Sequence, residues 1–430
     1  MLSGSYSARW KYAVENDVQL PDEYDQIYND LEAFWGIEPS DLIQTQKEGE
    51  LKQDTYTIGK NNKGEVEVLT HMFREGKYDQ LIAGSREIVD LFKPIQEYLP
   101  PFRMTLWPDD RPNRLTDYRV DTAAREAADS RTCGFTLLHT SHWKIHQSIV
   151  DIARSKLPRI AATGWKFACS PNSPARRRPF DLDKPPPSPK KKTFIWDHAL
   201  TMDPCNHPSH FFHHGQFLSH DMGPAPQPFP SPEFAYCSTT IHHNIRIPIP
   251  YGWLEDIYPR SDDPEWDEKV DERLLWRGSN TGMYHSETSR WRNSHRNFLV
   301  ELANDLYGTL GVLSPNKTNH EKVGQPLEVR KARINPAAMD VAFGGLPLAC
   351  SDKLCDVLEE IYPWRRRQTL KEAGRYKYVM DVRAALDTSK KRFPDVLMSL
   401  QVDGNGWSGR FKKLITSNAM VFKSTIYPEW

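Results

Sequence analysis

The chain has 430 residues, of which 38% are hydrophobic and 11% are aromatic, a composition that excludes disorder throughout and leaves room for two ordinary domains,. Its 56 lysine and arginine residues nearly cancel its 57 aspartate and glutamate residues. No net field therefore favours acidic lipid or nucleic acid, and no nucleic-acid partner is expected. No apolar run reaches the roughly 18 residues of a membrane helix.

The first part of the chain predicts amphipathic helices and a short strand. Acidic residues alternate with Trp, Tyr, Phe and Leu at helical spacing over residues 10–36,. The polar segment 48–64 predicts a mobile loop or a hairpin, and residues 78–99 predict a helix. A strand is predicted at 102–107, ending in the acidic turn 108–112.

The last third of the chain alternates strand, glycine turn, helix and strand. Strands are predicted in LLWRG, MDVAFGG and KYKYVMD, with helices at about 288–310 and 354–361. Such alternation is typical of a Rossmann-like α/β domain with a mainly parallel sheet. We place the domain boundary in the polar stretch 261–268, which gives an N-terminal domain 1–265 and a C-terminal domain 266–430.

Two glycine-rich turns in the second domain are candidates for binding an anion. In the first, a buried strand ends at Arg277, and Gly278, Ser279, Thr281 and Gly282 follow it. Small residues let the backbone approach a ligand closely, and ligands of open α/β sheets bind at the carboxyl ends of the strands. An ordinary strand-end turn with an exposed arginine would show the same pattern.

The second turn is DGNGWSGRF. It places Gly406 before Ser408, a candidate helix N-cap, and puts Arg410 in the first helical turn. Backbone N–H groups, the helix dipole and the arginine would all favour a diphosphate there. The alternative is a glycine turn with a capping serine. Two such turns in one α/β domain favour a nucleotide diphosphate more than either turn alone.

Asp110 is the carboxylate of interest in the first domain. It follows the strand at 102–107 and precedes Arg111 and Pro112, so a rigid turn would hold it in the way that a general base requires. A solvated aspartate in an ordinary acidic turn fits the same pattern.

Two metal-like patterns do not predict a metal site. Asp181-Leu182-Asp183 resembles a DxD motif but lies in a basic, proline-rich loop, predicted over 176–192, with no strand before it. The stretch HPSHFFHHGQFLSH lacks the glutamate of an HExxH motif, so a packed loop is the simpler interpretation. The six cysteines lack zinc-site spacing and leave open both several disulfides and all-free thiols. The histidines of the stretch HPSHFFHHGQFLSH are His207, His210, His213, His214 and His220.

These blocks together resemble a known family. LLWRGSNTG, WRNSHR, KYKYVMD, DGNGWSGRF and KLITSNAMVFKSTIYPEW, preceded by DPCNHP and PIPYGW, are similar in order to the fungal capsule-associated proteins of glycosyltransferase family 90. Animal protein O-glucosyltransferases are similar in the same blocks. The resemblance runs from about Trp10 to Trp430, and the order of the blocks is more specific than any single block.

The resemblance implies a GT-B fold, in which two Rossmann-like domains face a cleft and the C-terminal domain holds the sugar nucleotide. It also implies an inverting transferase that moves xylose, or else glucose, from a UDP-sugar to a hydroxyl of a glycan or glycoprotein acceptor. No cofactor or metal is required, although a divalent metal is compatible as a stimulant. Asp110 matches the catalytic base. The implied UDP-sugar contacts are Arg277, Gly278, Ser279, Thr281, Arg296, Gly406, Ser408, Arg410 and Glu429.

The resemblance further implies a location in the lumen of the secretory pathway, in the Golgi or ER, with which the sequon at Asn316 is compatible. Family members usually carry an N-terminal membrane anchor, which is not seen in this sequence, and continue beyond the Pro-Glu-Trp block, so a truncated C-terminus is expected. Residues 382–401 separate KYKYVMD from its glycine turn and are expected to be an insertion or a translated intron. The alternatives are a catalytically inactive sugar- or partner-binding homologue and a metal hydrolase built on the histidine stretch.

Overall fold

A computed structural model describes residues 23–130, 132–137, 143–148, 151–160, 162–179, 181–184, 197–247, 260–313, 326–381, 406 and 411–428. These residues form two compact units. Unit 1 takes its residues from Met1–Phe211, His220–Tyr251 and Ile426–Trp430, and unit 2 takes them from Phe212–Ser219 and Gly252–Thr425. A short piece of the predicted first domain thus belongs to unit 2, and the residues from Ile426 onward belong to unit 1.

The described strands of unit 1 are β1 (Tyr56–Lys60), β2 (Val66–His71), β3 (Arg103–Trp107), β4 (Thr132–Leu137), β5 (Trp143–Ser148), β6 (Glu233–Ala235) and β7 (Ile245–Arg246). A mixed sheet has the order β2-β1-β3-β6-β7. In it, β1 is antiparallel to β2 and β3, whereas β3, β6 and β7 are parallel to one another. β4 and β5 form a separate antiparallel pair.

The segment predicted as a loop or hairpin at 48–64 contributes one strand and the turn of a hairpin. The side-chain oxygen of Asn61 accepts hydrogen bonds from the backbone N–H groups of Lys63 and Glu65, both at 2.9 Å. Gly64 has a φ of +85°, which favours glycine,. Because so short a turn joins only antiparallel neighbours, this sheet departs from the Rossmann-like pattern that the resemblance implies for the first domain.

The described helices of unit 1 are α1 (Glu23–Trp35), α2 (Pro39–Glu50), α3 (Tyr78–Leu81), α4 (Ser85–Phe92), α5 (Tyr118–Asp129), α6 (Pro174–Arg177) and α7 (His198–Thr201), and α8 (His210–His213) crosses into unit 2. The single helix predicted at 78–99 is wrong. The helix is interrupted near Gly84, and α4 gives way to a 3-10 turn that contains Pro94, whose ring removes an N–H donor. Just after α1, Gly36 packs on α5 so closely that a Cβ would lie 1.9 Å from the carbonyl oxygen of Ala124.

Residues that follow unit 2 in the chain complete unit 1. Ile426 and Tyr427 are buried, and the carbonyl oxygen of Pro428 accepts a hydrogen bond from Nη1 of Arg246 at 2.7 Å. Arg246 lies in β7, and its guanidinium also donates to both carboxylate oxygens of Asp30 in α1. One arginine therefore joins β7, α1 and the late segment.

The described strands of unit 2 are β8 (Asp271–Gly278), β9 (Thr309–Val312), β10 (Leu327–Arg330), β11 (Met339–Gly344), β12 (Trp364–Arg365), β13 (Tyr376–Asp381) and β14 (Met420–Lys423). A sheet has the order β12-β11-β8-β13-β14, and every neighbouring pair in it is parallel. Counted along the chain, its strands read 3-2-1-4-5, the order of nucleotide-binding Rossmann sheets. The predicted α/β class is confirmed. β9 and β10 form a separate antiparallel pair.

The described helices of unit 2 are α9 (Gly215–Leu218), α10 (His295–Asn304), α11 (Lys331–Ala338), α12 (Asp352–Ile361), α13 (Leu370–Ala373) and α14 (Phe411–Leu414). The helix predicted at 288–310 is shorter than expected because Ser294 caps α10, its side chain accepting from the N–H of Asn297,. The core lies between the sheet and the helices, where Trp276 and Phe343 pack with Val300 and Leu358.

Two disulfide bonds join Cys169 to Cys205 in unit 1 and Cys350 to Cys355 in unit 2. For these four cysteines, bridges are present where the sequence left bridges and thiols equally open. Among the described helices, none combines the length and the apolar character needed to cross a bilayer.

Candidate functional site

The carboxyl edge of the parallel sheet in unit 2 is the candidate ligand site. The chain leaves β8 for β11 on one side and later returns to β13 on the other side of β8. The carboxyl ends of β8 and β13 therefore flank the point at which the strand order reverses, and open α/β sheets bind their ligands there. β8 ends at Gly278, followed by Ser279 to Gly282, and β13 ends at Asp381.

The loop after β8 is fixed by contacts within unit 2. Asn280 donates to the carbonyl oxygen of Leu348 at 2.5 Å, and its side-chain oxygen accepts from the N–H of Leu348 at 2.7 Å. Gly282 has a φ of +116°. Gly215 packs against it so closely that a Cβ would lie 2.2 Å from the carbonyl oxygen of Gly282. The backbone of this loop is therefore held in one conformation before any ligand arrives.

Arg296 supports the same loop from within the protein. Only 1% of its surface is exposed. Its Nη1 donates to the carbonyl oxygen of Ser279 at 2.7 Å and to the hydroxyl of Thr281 at 2.9 Å, and the hydroxyls of Ser279 and Thr281 lie 3.1 Å apart. Three predicted site residues are thus brought together in one hydrogen-bonded group, in which Arg296 positions the loop.

Arg277 is buried rather than exposed. Its Nη1 donates to the carbonyl oxygens of Trp276 and Asp340, at 2.8 and 2.7 Å, and its Nη2 donates to the Asp340 carboxylate at 2.5 Å. The same carboxylate binds Arg365 and accepts from the Tyr376 hydroxyl at 2.5 Å. The alternative of an ordinary turn with an exposed arginine is therefore wrong in this respect.

The electrostatics of this pair follow from burial and hydrogen bonding. Burial is the largest influence on the pKa of Asp340 and would raise it, but hydrogen bonds from Tyr376 and Arg277, together with the arginine charges, lower it below its usual value,. Burial is also the main cause that lowers the pKa of Arg277. Both groups are charged at neutral pH, and the carboxylate offsets the arginine at the strand end.

Several predicted contacts cannot be placed. Ser408, Arg410 and Glu429 lie outside the described residues, as does the segment 382–401. Gly406 is described and is buried.

In unit 1, Asp110 follows β3 in the predicted turn. The carboxylate of Asp109 accepts from the N–H of Arg111 at 3.1 Å, and the indole N–H of Trp107 donates to the carbonyl oxygen of Arg111 at 2.8 Å. The thiol of Cys237, just after the parallel neighbour β6, donates to the carbonyl oxygen of Asp110 at 3.1 Å. Three contacts thus fix the turn, and Asp110 itself is half-buried.

Charged and buried groups lie near this turn. Asp109 is exposed at the surface, but neighbouring protein atoms still displace water from its carboxyl group, and this desolvation raises its pKa. The hydrogen bond from the N–H of Arg111 opposes the rise, and the weaker charge of Asp110 adds to it. Burial and the charge of Arg111 lower the pKa of His220. Burial lowers the pKa of His242 to about 3, and its Nδ1 lies 2.7 Å from the hydroxyl of Thr239. His242 is therefore a neutral hydrogen-bonding group, which sequence reasoning did not single out.

The histidine stretch is packed by ordinary contacts. Nε2 of His210 lies 2.8 Å from the carbonyl oxygen of Thr201 in unit 1. In unit 2, the ring of His214 accepts from the N–H of Gln216 at 3.2 Å and stacks on the ring of His295. Within the described ranges, no group of three or more His, Cys, Asp or Glu side chains is arranged to hold a metal ion.

The DxD-like pair makes a local turn. The carboxylate of Asp181 accepts from the N–H of Asp183 at 3.0 Å and pairs with Lys184 at 3.6 Å. This is the behaviour of an aspartate that stabilises a surface turn.

Sequence reasoning missed the groups that lie on other strands. Asp340 on β11 binds Arg277, and Arg365 on β12 and Tyr376 on β13 bind the same Asp340 carboxylate. A signal was present for Asp340, because it is the single charged residue in the apolar run MDVAFGG. A charge in a buried strand requires a partner, and a buried arginine is the natural one.

Comparison with known proteins identifies no family for this chain. No protein-family model matches the chain, and no match is found among the curated proteins or the solved structures.

Proposed function

We propose that this protein is an inverting, UDP-sugar-dependent glycosyltransferase of the kind found in family 90, moving xylose, or else glucose, to a hydroxyl of a glycan or glycoprotein acceptor. The GT-B arrangement, with the donor on unit 2 and the acceptor base on unit 1, is part of this proposal. One observation carries it: the parallel 3-2-1-4-5 sheet of unit 2 has a preformed glycine loop after its first strand,.

The loop after β8 supports a nucleotide ligand in particular. Gly278, Ser279 and Gly282 have small side chains and are buried in this structure, while Asn280 and Arg296 fix the conformation of the loop from the protein side. A site that is organised before binding loses less free energy when the ligand is ordered. In the proposal, Ser408 and Arg410 add a helix N-terminus and a cation that hold the diphosphate.

Asp110 is the proposed base. It would accept the proton of the acceptor hydroxyl as that oxygen attacks the anomeric carbon from the face opposite UDP. A carboxylate is a weak base for an alcohol, so proton transfer would be late and most of the catalytic help would go to the leaving diphosphate. The contacts from Cys237 and within the turn support this role, because a base must be held in place,.

Asp110→Asn tests the proposal, with Asp109→Asn as its matched control. The control keeps the oxygen that binds the N–H of Arg111. Hydrolysis or transfer is measured with a panel of UDP-sugars in the presence of EDTA, and UDP-sugar binding is measured by calorimetry. We expect Asp110→Asn to lose turnover while its UDP-sugar affinity stays within a few-fold, and the control to keep both.

Three outcomes would contradict the proposed transferase mechanism. Unchanged turnover in Asp110→Asn would remove Asp110 from the mechanism. UDP-sugar binding with no turnover by the unaltered protein would favour an inactive sugar-binding homologue, and activity abolished by EDTA would favour metal-dependent chemistry.

A further inference from the structure

The carboxyl end of β11 gathers arginine side chains beside two consecutive glycines. β11 and β12 stay paired at this end, because the N–H of Gly345 donates to the carbonyl oxygen of Arg365 at 3.0 Å. The pairing brings Arg365 and, two residues later, Arg367 to the edge at which Gly344 ends β11. This is the edge on which the candidate nucleotide loop also lies.

Arg367 lies directly against the glycine pair. A Cβ at Gly345 would lie 3.3 Å from Nε of Arg367, and a Cβ at Gly344 would lie 3.5 Å from its Cγ. Gly345 has a φ of +86°, which side chains rarely adopt,. The two glycines therefore make room for the arginine side chain to lie along the strand end.

The charges around Asp340 do not balance, although they lie several residues back from this edge. The side chains of Arg277 and Arg365 both contact the carboxylate of Asp340, the second residue of β11. Arg273 lies 3.6 Å from the same carboxylate and pairs with Asp271 at 2.7 Å, so three arginines meet two aspartates there. Burial is the main cause that lowers the pKa of Arg277, and the charge of Arg365 adds to it. Arg367 adds a further charge, and its half-buried guanidinium has no hydrogen bond or ion pair within the part of the chain that the structure describes.

The chemistry of this edge fits an oxyanion. Many dinucleotide-binding Rossmann sheets carry an acidic residue near the end of the second strand that binds ribose hydroxyls, and an arginine there accommodates an additional phosphate. Here the second strand ends in Gly344 and Gly345, with Arg367 beside them. A guanidinium offers a planar fork of donors that matches a phosphate or a carboxylate.

We propose that Arg367, lying against Gly344 and Gly345, is an anion subsite that binds a phosphate of the nucleotide or a carboxylate on its sugar. The existence of the anion subsite is independent of the proposed function, whereas naming the oxyanion as a phosphate of a nucleotide sugar rests on it. A sugar carboxylate would replace the xylose or glucose of that proposal with a uronic acid. The subsite lies one strand away from the glycine loop.

Arg367→Ala tests the subsite, and Arg366→Ala is its matched control. Arg366 is the neighbouring residue, carries the same charge, and pairs with Glu372 at the surface. The full chain is titrated by calorimetry with pyrophosphate, UMP, UDP, UDP-glucose and UDP-glucuronate. We expect Arg367→Ala to weaken pyrophosphate binding roughly tenfold or more, as for the loss of a charge-assisted hydrogen bond, and Arg366→Ala to leave it unchanged.

The nucleotide arms identify the source of the oxyanion. If UDP binds more tightly than UMP and Arg367→Ala removes this difference in affinity, the oxyanion is the second phosphate. If UDP-glucuronate binds more tightly than UDP-glucose and Arg367→Ala removes that difference, the oxyanion is the sugar carboxylate. The subsite would be overturned if both variants bound pyrophosphate as tightly as the unaltered protein, or if both variants were weakened equally. It would also be overturned if the unaltered protein bound no pyrophosphate. Arg367-dependent pyrophosphate binding without any UDP-sugar binding would keep the subsite and reject the proposed function.

Discussion

The buried pair of Arg277 and Asp340 allows a quantitative stability prediction. Asp340→Asn removes the negative charge but keeps the shape of the side chain and one acceptor oxygen. The side chains of Arg277 and Asp340 are only 4% and 6% exposed, so in the variant the guanidinium stays buried without its counter-charge. Removing one partner of a buried pair costs about 3–5 kcal/mol. We expect about 3 kcal/mol, the low end of that range, because asparagine still accepts a hydrogen bond.

Hydrogen exchange of peptides that cover 271–278 and 339–344 measures this loss where it occurs. A loss of about 3 kcal/mol corresponds to roughly hundredfold faster exchange of the protected amides in β8 and β11. The control is Glu372→Gln, which breaks the exposed pair with Arg366 and should leave these peptides unchanged. Exchange in Asp340→Asn that matches the control would refute the reasoning.

Two further predictions concern pH and packing. Because the pKa of His242 is about 3 when folded and about 6.5 when unfolded, its contribution to the free energy of unfolding is complete above the unfolded value. That contribution is lost as the pH falls from about 6.5 to about 3, by at most about 1.4 kcal/mol per pH unit. Urea titrations at several pH values give the free energy of unfolding as a function of pH, and we expect it to fall less steeply with falling pH in His242→Gln than in the unaltered protein. An equally steep fall in both proteins would contradict the role of His242. Gly215→Ala should lower the melting temperature, because its Cβ would lie 2.2 Å from the carbonyl oxygen of Gly282, whereas Gly49→Ala, whose nearest contact is 4.0 Å, should be neutral or stabilising. A Gly215→Ala protein that melts like Gly49→Ala would contradict the packing argument.

Local sequence patterns predicted the main strands of unit 2. β8, β11 and β13 each contain a short apolar segment and end in glycine or aspartate, so their signal lies within each segment,. β12 gave no such signal, because Trp364 and Arg365 are too short a run and gain their partners only from β11. The start of α10 was misplaced because Ser294, the residue that caps it, competes with several other serines and threonines nearby.

The glycine turns of the candidate site could be predicted from the sequence, but the long-range contacts of its side chains could not. Gly278 and Gly282 stand out in the sequence because backbone needs such residues where it turns tightly. The direction in which Arg277 points depends on Asp340, which lies 63 residues away in the sequence. Local sequence patterns cannot predict a contact between residues so far apart. Cys237 is likewise 127 residues from Asp110. Contacts of this kind follow from strand order, which a single sequence does not fix.

The return of Ile426 and Tyr427 to the core of unit 1 has a consequence for biosynthesis. A ribosome releases the chain from the N-terminus, so most of unit 1 emerges first, then most of unit 2, and these two core residues only after it. Until then, Arg246 lacks its Pro428 acceptor. During translation, unit 1 therefore completes its core only after unit 2 has been synthesised, and until then it exposes the apolar surface that Ile426 and Tyr427 later cover,.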